Sequence, residues 1–392
     1  MKTVEKKVRE IIDRVKNQGD KALLFYTKKY DGFLLKPAEL RVKKREIDRA
    51  FQKVGLNFIR LIERAKKNVE KFHLGEYRQI TKKSRQFSKT TLKGVRFLEL
   101  WRPVEKVGVY VPGGKYAYPS SVLMTIVPAK VAGVDRIAMA SPPGKLNSEV
   151  LVAARICGVE EIYKVGGAQA IAAFAYGTKT IPKVDKIVGP GNVYVTTAKK
   201  LLFGDVGIDM LAGPSEILII ADGNANPDYI VFDLLAQVEH GGGATARLIT
   251  TSKKIRNIVQ KKVKKKGVYP IWVGSIKEAV RLANEFAPEH LEILTEKPER
   301  ILPEIKNAGE IFLGKWSPVA IGDYYAGPSH VLPTGGSARF SSGLSVKDFL
   351  KRMVVVACSE KGLKKSARDI INFAKIEGLG SHAESIKVRL KK

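Results

Sequence analysis

Cysteine is nearly absent from this chain. Its 392 residues include only two cysteines, Cys157 and Cys358. Two thiols so far apart in the sequence exclude a disulfide scaffold and a cysteine-type zinc site. Both lie in apolar segments with helical spacing, so we expect two buried free thiols and a reducing, cytoplasmic environment.

Long hydrophobic runs are absent as well. No run of roughly 18 or more apolar residues occurs, so we expect no membrane-spanning helix and no membrane partner. The N-terminal segment lacks the apolar centre of a signal peptide. Its apolar residues instead recur at helical spacing and predict an amphipathic helix: Val4, Val8, Ile11, Ile12 and Val15.

Acidic residues are scarce relative to basic ones. The chain has 39 Asp and Glu against 69 Lys and Arg, a formal net charge of +30. Such an excess can indicate nucleic-acid binding. The lysines are spread over the whole chain, however, and the densest run, QKKVKKKG (260–267), has no aromatic side chains to stack on bases. We therefore expect no nucleic-acid partner, while an anionic substrate or cofactor would be attracted by this charge.

Apolar residues make up 44% of the chain, enough for a large core. From Lys106 onward, short apolar strands alternate with helices of about ten residues, a pattern typical of parallel sheets with crossover helices. The alternation pauses near 208–216 and resumes as far as Gly314. The remaining segments predict helices near 2–17, 43–75, 346–357 and 361–377, followed by a short basic tail.

These patterns predict an α/β fold with two doubly wound, Rossmann-like units and helical extensions at both ends. A loop rich in Gly, Ser and Pro (315–343) follows the alternation, and loops of this length inside compact domains are usually functional. We predict an N-terminal helical extension (1–20), a first α/β domain (21–106 and 215–345), a second α/β domain (107–214) and a C-terminal arm (346–392).

Three glycine-rich turns each join a predicted strand to a predicted helix: VPGGKYAYPS (111–120), VGGAQAIAAFAYG (165–177) and VGPGNVYVTTAK (188–199). Glycine lets the backbone approach a phosphate, and a helix N-terminus offers free N–H groups. None of the turns has the usual dinucleotide fingerprint, and two look-alikes, at 241–246 and 378–383, follow helices rather than strands. Each turn alone also fits ordinary α/β turn chemistry, but three along one sheet favour a ligand site.

Histidine is scarce too, with five residues in the chain. His240 ends a predicted helix three residues after Gln237, so both side chains share one helix face, whereas Glu239 points elsewhere. By spacing alone this pair indicates either a metal site or a histidine that caps the helix. His73, in a charged helical segment, is predicted to be exposed.

A second histidine lies in FAPEHLEIL, where Pro288 ends a helix and a strand begins at Leu291. Glu289 and His290 occupy the connection and point in different directions, so each can have its own role. A histidine there can act as a general base near neutral pH, or the two can form an ordinary surface pair. Further polar residues lie in the long loop and near the C-terminus: Asp323, Tyr324, Tyr325, His330, Glu377 and His382.

Taken together and in order, these motifs resemble those of the histidinol dehydrogenase family. The resemblance extends from about residue 90 to about residue 385. The segments that carry it are VGVYVPGGKYAYPSSVLM, GGAQAIAAFAYGT, GPGNVYVTTAK, DMLAGPSEILIIAD, DLLAQVEHGG, FAPEHLE, IGDYYAGPSHVLPTGGSARFSSGLS and EGLGSH.

The resemblance implies oxidation of L-histidinol through L-histidinaldehyde to L-histidine, with two molecules of NAD and one of water. His290 matches the base of this reaction, and Glu289 matches the residue that activates water. The residues that match NAD contacts are Tyr110, Gln169 and Asn192, one at each glycine-rich turn. The residues that match ligands of one Zn²⁺ per subunit are Gln237, His240, Asp323 and His382.

The resemblance also implies a substrate site and an assembly. Ser215 and Glu377 match substrate-binding positions, alongside His290 and the four metal ligands. The family pattern is a homodimer in which the C-terminal arm crosses to the other subunit, so Glu377 and His382 would complete the neighbouring site. Ser329 and Val238 depart from the commoner family residues without touching a matched position, and His330 receives no role.

Two other classes of function remain as alternatives. A zinc hydrolase could use Glu289 with a metal-bound water, but it leaves the three glycine-rich turns unexplained. A basic nucleic-acid-binding protein would account for the charge, but the scattered lysines argue against it.

Overall fold

The computed structural model describes residues 2–82, 88–89, 92–113, 118–241 and 243–391. The chain folds into two compact units. The first unit comprises Met1–Gly75 and Val104–Phe349, and the second comprises Glu76–Pro103 and Leu350–Lys392. Among the described helices, none has both the length and the apolar character needed to cross a bilayer.

The chain begins with helices α1 (Lys2–Gln18) and α2 (Asp20–Tyr26), a π-helical turn (Thr27–Asp31), and helices α3 (Lys44–Lys53) and α4 (Leu56–Thr81). The amphipathic pattern of α1 is confirmed, since its apolar face is buried against α7, introduced below. The single helix predicted over 43–75 is wrong. Val54 adopts an extended backbone after α3, and α4 starts anew at Leu56. Two strands of the second unit follow, β1 (Ser88–Lys89) and β2 (Val95–Pro103).

A five-stranded parallel sheet occupies the middle of the sequence. Its strands are β3 (Lys106–Tyr110), β4 (Arg136–Ser141), β5 (Glu161–Lys164), β6 (Lys186–Val188) and β7 (Gly207–Ile208), in the spatial order β5-β4-β3-β6-β7. The helices between them are α5 (Pro119–Ala132), α6 (Ser148–Ile156), α7 (Gly167–Tyr176) and α8 (Val193–Leu202). Successive strands are added on one side of β3 as far as β5 and on its other side from β6 onward. The point between β3 and β6 is thus a topological switch point, where open α/β sheets bind ligands.

A second parallel sheet repeats the same strand order. It contains β8 (Glu216–Ala221), β9 (Thr245–Thr250), β10 (Val268–Trp272), β11 (His290–Leu294) and β12 (Glu310–Leu313), in the order β10-β9-β8-β11-β12. The helices are α9 (Pro227–Glu239), α10 (Lys253–Lys262), α11 (Ile276–Phe286) and α12 (Val319–Tyr324).

The residues of β8 show why this sheet is covered on both faces. Ile217 and Ile219 pack in one apolar cluster, whereas Leu218 and Ile220 pack in another, because successive side chains of a strand point to opposite faces. The predicted α/β class with two doubly wound units is therefore confirmed. A helix predicted between β11 and β12 is wrong, since two short 3₁₀ turns (Pro298–Arg300 and Leu302–Glu304) occupy that segment.

The second unit is built around an antiparallel sheet of order β1-β2-β13, where β13 is Leu350–Cys358. Helices α13 (Glu360–Ile376) and α14 (Gly380–Val388) complete it, so the predicted basic tail is partly helical. The helix predicted over 346–357 is wrong. Its β-branched run Val354–Val356 favours a strand, and β13 pairs with β2 along its whole length.

Two burial predictions also need correction. Cys157 is buried as expected, and burial raises its pKa to about 12, but Cys358 at the end of β13 is exposed. His73, predicted to be exposed, is fully buried within α4 and packs edge-on against the Phe72 ring. Its segment is charged overall, and only the helical face that carries His73 turns inward.

Candidate active site

The Glu289–His290 pair lies at the amino end of β11, beside the start of β8. Here the two consecutive side chains both reach the backbone of Glu216. The Glu289 Oε2 accepts a hydrogen bond of 2.8 Å from the Glu216 N–H, and the His290 Nδ1 lies 3.2 Å from the Glu216 carbonyl oxygen. A carbonyl oxygen only accepts, so Nδ1 donates the hydrogen. The second ring nitrogen, Nε2, is therefore left with a free lone pair.

Burial shifts the pKa values of the two residues in opposite directions. It lowers the pKa of His290 to about 4, so that the imidazole is neutral at pH 7. It raises the pKa of Glu289 well above its usual range, and the nearby carboxylates of Glu216 and Asp323 add to that rise. A neutral imidazole with an available Nε2 and a carboxylate with a raised proton affinity are two bases in adjacent positions.

Asp323 connects this pair to the long loop after β12. Part of that loop forms α12, which carries Asp323 near its end. The Asp323 Oδ1 lies 3.9 Å from the His290 Nε2 and 3.9 Å from the His330 Nδ1. His290 Nε2 is buried and has no hydrogen-bond partner among the described residues. The carboxylate is thus close enough to influence both rings without occupying the His290 lone pair.

His330 connects the long loop to α5, one of the helices that flank the first sheet. Its Nδ1 donates to the Asp323 carbonyl oxygen at 3.0 Å, and its Nε2 accepts from the Ser121 hydroxyl at 3.2 Å. The neighbouring Ser329 hydroxyl donates to the Met124 carbonyl oxygen at 2.9 Å. These bonds hold the carbonyl group of Asp323 in place. No feature of the sequence indicated this role for His330.

Gln237, His240 and Asp323 line one cavity of about 420 Å³. Gln237 is buried, and its Nε2 has no partner within the described part of the chain, whereas His240 is exposed at the C-terminal cap of α9. Glu239, which helical spacing places on another face, also lines the cavity. Gln237 and His240 thus line one cavity, but the prediction that Glu239 points away from them is wrong, since Glu239 lines the same cavity.

The donors of this cavity suit a zinc ion, since amide oxygen, imidazole nitrogen and carboxylate oxygen are all zinc ligands. Among the residues that the structure describes, no three His, Cys, Asp or Glu side chains are already arranged as a metal site. The fourth predicted ligand, His382, is exposed in α14 of the second unit, and Glu377 is exposed at the end of α13. The unpartnered amide of Gln237 supports a ligand in the cavity.

Other buried carboxyl groups surround the site, and no sequence motif pointed to them. Burial raises the pKa of Glu310 to about 7, and Asp323 adds to it. Asp233, which lines the cavity, interacts electrostatically with Glu292, and burial raises their pKa values to about 6 and about 9. The one available signal was a lone charged residue, Glu292, within the apolar strand HLEIL.

The three glycine-rich turns meet at the carboxyl edge of the first sheet. The Tyr110 hydroxyl accepts a hydrogen bond of 3.0 Å from the Gly167 N–H, and Gln169 is buried beside that glycine. Asn192 caps α8, with its Oδ1 accepting from the N–H groups of the next turn at 3.0 and 3.2 Å. The three predicted NAD contacts therefore lie along one edge, although residues 114–117 of the first turn are outside the described part.

A buried ion pair holds the third turn. Lys199 contacts Asp209, and both side chains are almost fully buried. Asp209 also accepts a hydrogen bond of 2.7 Å from the Gly189 N–H, while Lys199 donates to the Gly189 carbonyl oxygen at 3.0 Å. Both backbone groups of this glycine are thus fixed by one pair of charges, which keeps the turn in place beside Tyr110.

Comparison with known proteins supplies the family context. A family model described as "Histidinol dehydrogenase" matches residues 1–390. The chain is 48% identical to "Histidinol dehydrogenase" of Caldanaerobacter subterraneus subsp. tengcongensis over 99% of this chain and 93% of the relative. It is 47% identical to "Histidinol dehydrogenase" of Methanocaldococcus jannaschii over 98% and 92%. The solved structure of histidinol dehydrogenase from Elizabethkingia anophelis is similar with a TM-score of 0.92, at 37% identity over 99% of this chain and 92% of that one.

Proposed function

The chain belongs to the histidinol dehydrogenase family of oxidoreductases, and we propose that it oxidises L-histidinol through L-histidinaldehyde to L-histidine. Each oxidation passes a hydride to NAD, and one water supplies the second carboxylate oxygen, so two NAD are reduced per histidinol. The observation that carries this proposal is the buried Glu289–His290 pair, which places two bases with different proton affinities next to Asp323, one of the residues that line the cavity.

His290 is the base for the alcohol. Its Nδ1–H is held by the Glu216 carbonyl, which fixes the tautomer and leaves Nε2 to take the hydroxyl proton as the hydride departs. A pKa of about 4 keeps the ring unprotonated throughout the neutral range. Asp323, 3.9 Å from Nε2, stabilises the imidazolium that forms once the proton has been transferred.

Glu289 is the base for the water that attacks the aldehyde. Its Oε2 accepts a hydrogen bond from the Glu216 N–H. Burial disfavours the charged form, so this carboxylate accepts a proton more readily than an exposed glutamate does. His290 then removes the hydroxyl proton of the aldehyde hydrate in the second oxidation.

Zinc and substrate would be held by the cavity. Gln237, His240 and Asp323, together with His382, would hold one Zn²⁺ per subunit, which fixes the nitrogen atoms of the substrate when bound. Ser215 and Glu377 would complete the substrate site. The support within the first unit is the shared cavity lining of three of these residues.

NAD, which accepts the hydride when bound, would lie along the carboxyl edge of the first sheet against Tyr110, Gln169 and Asn192. The absence of the usual glycine fingerprint is no obstacle. The start of α7 and the start of α8 each offer a glycine-bordered helix N-terminus at this edge.

The proposed assembly is a cytoplasmic homodimer in which Glu377 and His382 reach the site of the other subunit. Both lie exposed on the helices of the second unit, as a donated pair must be in the isolated chain. Mixing a His290→Ala chain with a His382→Ala chain tests this arrangement. Recovery of activity in the mixed dimer is expected, whereas its absence would show that each chain completes its own site.

The reaction is tested by its stoichiometry. With histidinol, excess NAD and zinc, we expect about two NADH per histidinol consumed, and loss of activity after treatment with a chelator. A yield of about one would contradict the double oxidation. Calorimetric titration with NAD separates this enzyme from a zinc hydrolase, which would not bind the dinucleotide, and salt-sensitive DNA binding would favour the nucleic-acid alternative.

A further inference from the structure

A π-helical turn lies beside the proposed dinucleotide edge and has no role in the reaction described above. It spans Thr27–Asp31 and follows α2 directly. Such turns are rare and are frequently found at functional sites. Two of its side chains carry buried oxygen atoms without a hydrogen-bond partner in the described part of the chain, the Thr27 Oγ1 and the Asp31 Oδ2.

Packing places this turn at the carboxyl edge of the first sheet. Phe33, two residues after Asp31, lies against Gly144 in the turn after β4, where an added Cβ would meet the Phe33 ring at 3.2 Å. The same β4 turn packs through Pro142 against Gly113 and Gly166 of the first two glycine-rich turns, because a Cβ on either glycine would meet Pro142 at 2.5 Å. Asp31 also acts electrostatically on Tyr110, adding to the rise in the pKa of that phenol to about 12.

The place next to β4 is significant in sheets of this order. In the usual dinucleotide fold, the second strand lies beside the first in the sheet. An acidic residue at the end of that second strand bonds the adenosine ribose hydroxyls. The corresponding segment here, Ser141–Lys145, reads SPPGK and contains no acidic residue. The Ser141 Oγ is buried there, and among described residues it too has no partner. Asp31 supplies a carboxylate at this place, although it belongs to the N-terminal helical region and not to the alternating strands and helices.

We propose that Asp31 binds the 2′-hydroxyl of the adenosine ribose and selects NAD over its 2′-phosphorylated form. The proposal rests on the proposed function only in taking the ligand to be a nicotinamide dinucleotide. Asp31 is half-buried, and rotation about its terminal torsion can exchange its two oxygens, so one carboxylate can bond a ribose hydroxyl. Its negative charge repels a phosphate at the same position.

The test compares dinucleotide binding by the wild type, Asp31→Asn and Asp13→Asn, which makes the same change at an exposed position of α1. Titration calorimetry measures the Kd for NAD, NADP and NAD lacking the adenosine 2′-hydroxyl. In the wild type we expect NAD to bind about tenfold more tightly than either analogue. In Asp31→Asn we expect NAD to bind about tenfold more weakly and the preference over NADP to disappear.

The outcomes separate this proposal from the proposed function. Failure of the wild type to bind NAD would overturn the proposed function. Normal NAD binding with an unchanged preference in Asp31→Asn would overturn the role of Asp31 alone. Equal affinity of the wild type for NAD and for NAD lacking the 2′-hydroxyl would also overturn it, and that measurement needs no variant to fold.

Discussion

Gly189 lies so close to Tyr110 that a Cβ on this glycine would meet the Tyr110 carbonyl oxygen at 2.1 Å. Its φ of 111° is in the region that side chains disfavour. The turn after β6 and the end of β3 are therefore in contact at the switch point of the first sheet. Two of the three turns proposed to hold NAD share this contact.

The first prediction follows from this contact. Gly189→Ala should destabilise the protein by about 3 kcal/mol or more, because the backbone strain is joined by a clash with main-chain atoms that cannot move aside. Gly204→Ala is the matched control, since Gly204 has a φ of 112° and no atom within 4 Å of an added Cβ. Urea unfolding measures the free energy of unfolding of both variants. Equal losses of stability in the two variants would show that the protein relieves the clash at Gly189.

The second prediction divides the two bases. His290→Ala should slow oxidation of histidinol about 10²–10⁴-fold, because it removes the proposed base for the substrate hydroxyl. Glu289→Gln should leave that step within about tenfold of the wild type and block oxidation of added histidinaldehyde. Single-turnover NADH formation with each substrate separates the steps. The exposed Glu285→Gln on α11 serves as the control, and equal effects of both variants on both steps would refute the division.

The third prediction concerns the effect of pH on stability. Burial raises the pKa of Asp31 to about 6, above its ordinary 3.8, so the folded state binds this proton more tightly than the unfolded state. Its contribution to stability therefore falls as pH rises through about 4 to 6. Asp31→Asn should be more stable than the wild type at pH 7.5 by about 1 kcal/mol, allowing for partial solvent screening, and equal to it near pH 4.

Urea midpoints of the wild type and Asp31→Asn at both pH values measure this difference, with Asp13→Asn as the control. A gain that persists unchanged at pH 4 would show that the stabilisation does not come from the charge of Asp31. Together with weaker NAD binding, the predicted gain would mark a residue kept for binding at the expense of stability.

The fourth prediction concerns the two thiols. Cys157 is 3% exposed and its pKa is raised to about 12, whereas Cys358 is exposed. Because the thiolate is the reactive form, a disulfide reagent should label one thiol rapidly in the native protein and the second only after unfolding. Cys358→Ser should abolish the rapid phase and Cys157→Ser should retain it. Rapid labelling of Cys358→Ser would contradict the burial of Cys157.

Much of the fold could be predicted because the strand–helix alternation is strongly periodic from Lys106 to Gly314. The errors fall where local pattern is ambiguous. The run Val354–Val356 lies in a segment predicted as a helix although its β-branched residues favour a strand, and its long-range pairing with β2 decides the outcome. His73 was misplaced because a charged sequence does not reveal which helical face packs inward.

The candidate site shows a different limit. Helical spacing places Gln237 and His240 on one face of α9, and both line one cavity, but Glu239 lines it too, so spacing alone does not single out the pair. Glu216 and Glu310 gave no signal, since each becomes part of the site only through the register of β8 and β12 with β11. Register is a property of the assembled sheet, and a single strand does not specify it.

The bonds that join the long loop to α5 have a consequence for how the protein acquires activity. The Ser121–His330 bond links residues 209 positions apart, and the Ser329–Met124 bond spans 205. Contacts of such separation form only after both intervening sheets exist, because closing a long loop is entropically unfavourable until local structure shortens it. A nascent or refolding chain therefore regains its secondary structure well before Asp323 is fixed beside His290. We therefore expect catalytic competence to appear late in folding, after the secondary structure has formed.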